Sequence, residues 1–444
     1  GINSDLWLQT WTSETDLRWQ YNLGKKYFSS YDLSSTEMAN KDLKWETTIS
    51  RNIGIDFGFF NSRLWGSLDL YWNTTKDLLM CIPIDETTGY SYQYQNIGQT
   101  SNKGIEIALN YDILRTKDFT LGVSATYNYN HNNIDELADN IIAQYGSQWA
   151  SSATTPTYDY EFREGKPVGL IRGYICDGYY TTADFNYDPA TKTYTLKPGV
   201  ADLGNQVGNY PSHYNLPEGQ KAFPGAVKLR DLDGNGVADT EDVADLGEIT
   251  HPHTGGFNLN MTWKDIDFSA GFAWAAGGHV YNVNSLINMY GNKDTGAGAN
   301  KLEFISDCYQ IYDIQNGELV PVVEPDALDA LNTGAKYGVP YMENGTVLST
   351  FVEDASFLRL NTLTVGYTFP KAWTKKIGMQ RARVYATAGN LFTITGYSGI
   401  DPEVNADPNK STTAANTGNY PLLGMDYGTY PRARTFTFGV NITF

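Results

Sequence analysis

From Arg434 to Phe444 the chain alternates without a fault. Phe436, Phe438, Val440, Ile442 and Phe444 take one face, and Thr435, Thr437, Gly439, Asn441 and Thr443 the other. Side chains that repeat every second residue share a face only in an extended strand, so the segment reads as a β-strand with one apolar and one polar side. The pattern recurs in Phe257, Leu259, Met261 and Trp263, in Ile105, Ile107, Leu109 and Tyr111, and in Leu64, Gly66, Leu68, Leu70 and Trp72. Asn258, Asn260, Glu106, Asn110, Ser67 and Asp69 fill facing positions and make the second side hydrophilic enough to be wet. A soluble sandwich alternates in the same way, with its apolar face in the core, so alternation alone leaves sandwich and membrane barrel both open.

Strand length and connection length separate the two. The runs are about 10 to 15 residues, above the usual 5 to 6 of soluble sheets and matching the roughly 9 to 11 that cross a bilayer at a tilt. Aromatics stand near many strand ends, as in Tyr71, Trp72, Tyr127, Tyr129, Trp263, Tyr367 and Phe369, where interfacial girdles form. Short connections at Asn61-Ser62, at 115–118 and at Lys264-Asp265, with a slightly longer one at 370–379, alternate with long ones at 73–103, 132–255, 279–354 and 395–430. Short periplasmic turns and long extracellular loops make that asymmetry in an up-and-down barrel. The expected fold is all-β, a transmembrane antiparallel β-barrel. Nine strands are counted from Thr47, the last running down to the short-turn side; residues 1–46 are read as loop with a possible further strand. Two loop segments, 134–145 and 325–331, are predicted helical.

Composition narrows the partners. The formal net charge of -18 argues against a nucleic-acid partner held by phosphate contacts. Aromatics make up 14% of the 444 residues, and charged residues 18% against about 25% in an average globular protein, which suits β structure with little charged surface. No window approaches 18 uninterrupted apolar residues, which excludes a transmembrane helix and says nothing against a barrel. Cys81, Cys176 and Cys308 lie far apart and support neither a disulfide framework nor a metal knuckle. The chain starts at Gly1 without a charged n-region or an apolar h-region, so a mature or fragment start is expected there.

One local motif carries ligand chemistry. Asp231, Asp233, Asn235, Asp239 and Asp242 place oxygen ligands at positions 1, 3, 5, 9 and 12 of a loop, with Gly236 at position 6 and the Val237 carbonyl at position 7. Hard oxygen donors at that spacing wrap one calcium ion, with Asp in place of the usual final Glu; the alternative is an Asx-rich turn without an ion. No EF-hand helix precedes the loop, so the expected role is structural. His251 and His253 form an HxH pair with no third ligand in sight, and His131, His213 and His279 stand apart. The nucleophile-elbow, zincin and P-loop signatures do not occur, and an enzyme is not expected. Tyr90, Tyr92 and Tyr94, like Tyr158 and Tyr160, offer rings for stacking on sugars or peptides, or for packing the loops themselves.

Several stretches together resemble the C-terminal half of the SusC/RagA-type TonB-dependent outer-membrane transporters of Bacteroidetes. They are Asn40-Lys-Asp-Leu-Lys-Trp-Glu46, Asn96-Ile-Gly98 with Asn102-Lys-Gly-Ile-Glu106, and Glu164-Gly-Lys-Pro167 leading to Gly173-Tyr174 and Gly178-Tyr179. The acidic loop and Gly255-Gly-Phe257 follow, then Ala355-Ser-Phe-Leu-Arg-Leu360, Gly389-Asn-Leu-Phe392, Tyr397-Ser-Gly-Ile-Asp-Pro-Glu403 and Tyr430-Pro-Arg432. The resemblance implies a barrel of about 22 strands around a plug, of which residues 47–444 would be the C-terminal part, with plug and TonB box outside the chain. It further implies import of oligosaccharides or peptides, energy delivered through the TonB complex, a SusD-like surface lipoprotein as cap, outer-membrane lipid around the wall, and outer-membrane localisation. The competing class is a secreted, calcium-stabilised β-rich glycan-binding module or glycan-active enzyme.

Overall fold

The computed structural model describes residues 38–88, 90, 92–137, 160–205, 213–289, 303–340, 347–404, 424–426 and 430–444. It also gives the backbone of short strands among residues 1–37 and 143–156. Nine long strands make up most of the eleven-stranded main sheet: β1 Asn52–Phe59, β2 Leu64–Pro83, β3 Tyr92–Arg115, β4 Phe119–Glu136, β5 His253–Trp263, β6 Ile266–Ala276, β7 Phe357–Thr368, β8 Arg381–Thr395 and β9 Thr435–Thr443. Each pairs antiparallel with its sequence neighbour, so the sheet runs in chain order from β1 to β9. Among the described residues the wall is not closed: β9 is one edge, and β1, with the short strand Thr47–Ile49, is the other.

The faces fall as the alternation requires. Phe438 is 81% exposed and Val440 63%, and Leu109 and Val365 are also exposed on the same outer side, an arrangement a soluble sandwich would bury. The short turns are tight. Phe60, Asn61 and Ser62 take positive φ of 55°, 55° and 60°, and Lys264 takes 53° in the two-residue link between β5 and β6. The β7–β8 link holds a short helix, Lys371–Thr374, ended by Gly378 at φ 76°.

Two expectations are corrected. The 73–103 loop is mostly strand: β2 runs on to Pro83 and β3 begins at Tyr92, so the hairpin stands well beyond the reach of a bilayer-spanning strand. The helix expected over 134–145 is absent where the structure is described, because Ile134–Glu136 still pairs with β3 and Ala143–Tyr145 is a strand. Ladder bonds already in place across β3 and β4 outweigh the weak helical preference of that stretch. The helix over Pro325–Leu331 forms as expected, with Pro at its first turn.

The three remaining long connections share one core. Tyr174, Tyr180, Tyr194 and Phe223 come from the first, Leu286, Leu328, Leu348 and Phe351 from the second, and Met425 from the third. Backbone bonds stitch them: Tyr174 N–H donates to Val347 O at 2.9 Å, and Tyr281 N–H to Gly424 O at 2.7 Å. Loops of this length are ordinarily irregular; their aromatics give these a hydrophobic interior of their own.

Candidate functional site

The acidic loop lies between the strands Val227–Leu229 and Ala244–Glu248, inside the first long connection. It is built by Asx turns. Asp231 accepts from Gly234 N–H at 2.7 Å and Gly236 N–H at 2.8 Å, and Asp233 accepts from Asn235 N–H at 2.9 Å. Gly234 and Gly236 adopt φ of 78° and 92°, which only glycine takes without strain. Asp242 is fully buried; its carboxylate accepts from Leu232 N–H at 2.5 Å and Asp239 N–H at 2.8 Å.

The fold brings carboxylate oxygens of Asp231, Asp233 and Asp242 within 4.8 Å of one another, the one such acidic group among the described residues. Asp239 lies outside that group of three; its Oδ1 caps the short helix Thr240–Asp242 by accepting from Glu241 N–H at 2.8 Å. Asn235 links its side-chain amide to Asp233 and Asp239, and Val237 N–H donates to Asn235 Oδ1 at 2.8 Å. Amide hydrogen bonds, that from Gly236 foremost, hold the Asp231 carboxyl below the usual carboxylate range. Burial pushes the neighbouring Tyr174 hydroxyl upward, and Asp239 and Asp242 add to the shift. Arg172 anchors the end of the loop, donating from Nη2 to Val243 O at 2.6 Å. An oxygen-only set of this kind suits a hard divalent cation and offers no nucleophile.

A second constellation escaped the reading of ligand spacing. Arg359 of β7 faces inward, wholly buried, and meets Asn390 of β8 and both Asp401 and Glu403 of the third long loop. Asn390, at φ 51°, donates in turn to Arg432 O at 2.9 Å. A charged residue inside the apolar run Phe357-Leu-Arg-Leu360 was the available signal, because a buried Arg requires acids.

The histidines do not gather. His251 Nε2 lies 3.1 Å from Ala355 O, whereas His253 Nδ1 lies 2.9 Å from the Tyr127 hydroxyl in an aromatic group with Tyr129. Tyr127 also stacks on Trp274 at 6.0 Å, as an interfacial girdle would. Tyr92 and Tyr94 sit in β3, and Tyr160 is buried in the loop core; Tyr158 lies outside the described residues.

Comparison with known proteins agrees with this architecture. Residues 15–216 match the family model described as TonB dependent receptor-like, beta-barrel. The TonB-dependent receptor P3 of Formosa agariphila is 31% identical over 409 residues, 92% of this chain and 35% of that protein. The TonB-dependent receptor SusC of Bacteroides thetaiotaomicron is 29% identical over 96% of this chain and 34% of its own length. The RagAB peptide transporter superposes over 99% of this chain and 39% of that one, with a TM-score of 0.64 at 23% identity, a likeness of fold. The chain is thus part of the wall of an outer-membrane β-barrel. Its sequence is similar to the TonB-dependent receptors of the SusC type, and the chain spans about a third of the length of the curated relatives it matches. A secreted glycan-binding module or enzyme finds no support among these relatives.

Proposed function

We propose that this chain supplies wall and surface loops to an importer of oligosaccharides or peptides. Parts of the receptor outside the chain couple it to the TonB complex, and a SusD-like lipoprotein seats on the loop body. The observation that carries this reading is the single core shared by three long loops at one end of a wall with a polar inner face. Such a body offers a firm surface for a cap and a substrate where isolated loops would not. The test is uptake. A strain lacking the receptor should lose growth on one oligosaccharide or peptide class and regain it with the intact gene. Unchanged uptake of both classes overturns the reading.

The same reading includes one calcium ion held by the side chains of Asp231, Asp233, Asn235, Asp239 and Asp242 and the Val237 carbonyl. It is supported by the convergence of three carboxylates, which repel one another unless a cation is bound. The ion's role would be to order the first long loop. Calcium should slow proteolysis of that loop, and Asp231→Ala with Asp233→Ala should abolish the effect. Equal proteolysis with calcium and with chelator overturns it.

A further inference from the structure

On the inner face of the wall, side chains lie flat across glycines of the neighbouring strand. Tyr71 of β2 stands directly opposite Gly104 of β3, and Gly104 directly opposite Asn130 of β4. A Cβ at position 104 would fall 2.4 Å from the Tyr71 hydroxyl, and that hydroxyl donates to Asn130 Oδ1 at 2.8 Å. The second case is ionic. Arg383 of β8 reaches Asp267 of β6, Nε to Oδ1 at 2.8 Å and Nη2 to Oδ2 at 2.5 Å, and a Cβ at Gly366 of the intervening β7 would fall 2.3 Å from Nη2. In both, glycine in the middle strand removes the one side chain that would block a bond between strands roughly 10 Å apart.

The third case is incomplete. Tyr385 of β8 stands opposite Gly439 of β9, and a Cβ at 439 would fall 2.3 Å from the tyrosine Cζ. The Arg383 guanidinium packs on the Tyr385 ring, 5.0 Å from its centroid, so the pair with Asp267 helps hold the ring toward β9. Among the described residues the sheet has no strand beyond β9, and the Tyr385 hydroxyl has no hydrogen-bond partner. The geometry repeats Tyr71 over Gly104, with the third strand missing.

We propose that Tyr385 is a seam residue of the closed barrel. Its hydroxyl crosses β9 above Gly439 and bonds a polar side chain, an amide or carboxylate, facing inward on the strand that pairs with Thr435–Thr443. That strand belongs to the part of the receptor outside this chain, so the proposal rests on the chain being one part of a larger barrel. Aromatic cover of an edge glycine also pins strand register, since a slip of one residue would carry the glycine to the outer face.

The test uses the complete receptor in its own outer membrane. A photoreactive phenylalanine at position 385 should crosslink within the receptor to the residue opposite Gly439 on the adjoining strand. A crosslink to a separate polypeptide, or only to residues of this chain, overturns the proposal. Tyr385→Phe keeps the ring and removes the hydroxyl. It should shift the equilibrium between closed and opened barrel, read by heat-dependent gel mobility, about fivefold toward the open form, the worth of one hydrogen bond. Wild-type behaviour of Tyr385→Phe overturns the bond. Gly439→Val should reduce assembled barrel and Tyr385→Ala should restore part of it; no restoration overturns the contact. None of these readouts is uptake, so failure of the import reading leaves them intact.

Discussion

Arg359 and Asp401 form a bidentate pair inside the protein, Nη2 to Oδ1 at 2.6 Å and Nη1 to Oδ2 at 3.3 Å, with Arg359 1% exposed. The pair joins wall strand β7 to the third long loop. Glu403 extends it, lying 3.1 Å from Arg359 Nη2 and 3.3 Å from Arg432 Nη1. A guanidinium this far from water is tolerable only with such company.

Removing one partner should be worse than removing both. Arg359→Met leaves Asp401 and Glu403 without their buried counter-charge, and Asp401→Ala leaves the guanidinium unpaired, each at a cost of about 3–5 kcal/mol. The double variant Arg359→Met with Asp401→Leu should recover much of that loss. Heat-dependent unfolding of the purified receptor measures it, and additive losses would refute the pairing as the cause.

The same pair sets an acid limit. Burial opposes ionisation of Asp401, but hydrogen bonds and the Arg359 charge prevail and hold its carboxyl below the usual range. A depressed folded value stabilises above the unfolded value, about 3.9, and the contribution fades as pH falls through the folded one. Protease cleavage within the third long loop should therefore rise below about pH 4. Arg359→Met should move that rise to higher pH, and an unmoved profile would count against the assignment.

Charge on the two faces of the wall should have unequal effects. Val440→Arg and Leu109→Lys put a cation on the exposed apolar side and should cost about 2–4 kcal/mol at mid-bilayer, whereas Asn441→Arg and Asn110→Lys keep it on the polar side. The amount of folded receptor in the outer membrane reports the difference. Equal losses on both faces would contradict the orientation of the sheet.

Calcium protection of the first long loop should itself depend on acid. With the Asp231 carboxyl held low by the Gly236 and Gly234 amides, its charge survives mild acidification, and protection should fade only as pH drops below about 4. Digestion with pepsin across that window, with calcium and with chelator, is the measurement. Full calcium protection at pH 2 would argue against carboxylate ligation.

Cys308 should be slow toward thiol reagents. Burial, with the Asp307 charge adding, pushes its thiol up to about 11, and burial raises Cys176 as well. Both remain thiols at pH 8, so labelling of the native protein at these positions should lag far behind labelling in denaturant. Equal rates would mean that the second long loop opens readily.

The wall and its orientation were legible in the sequence because period 2 is a local property. Phe436 to Phe444 declare their face without reference to any other strand, and Lys264-Asp265 declares a turn by its place between two alternating runs. The turn at 231–242 was legible for the same reason, its Asp, Asn and Gly positions lying within twelve residues. The extension of β2 and β3 past the expected loop, and the strand in place of a helix after Ile134, were decided by pairing across the sheet. Ladder bonds depend on the neighbouring strand and leave little trace in a single segment's propensity. Arg359 meeting Asp401 from 42 residues away, Tyr71 reaching Asn130 over Gly104, and three loops sharing a core are likewise products of tertiary structure. Their chemistry is written in the residue types, but burial, which turns a charge into an obligation and a glycine into a passage, exists only once the strands stand side by side.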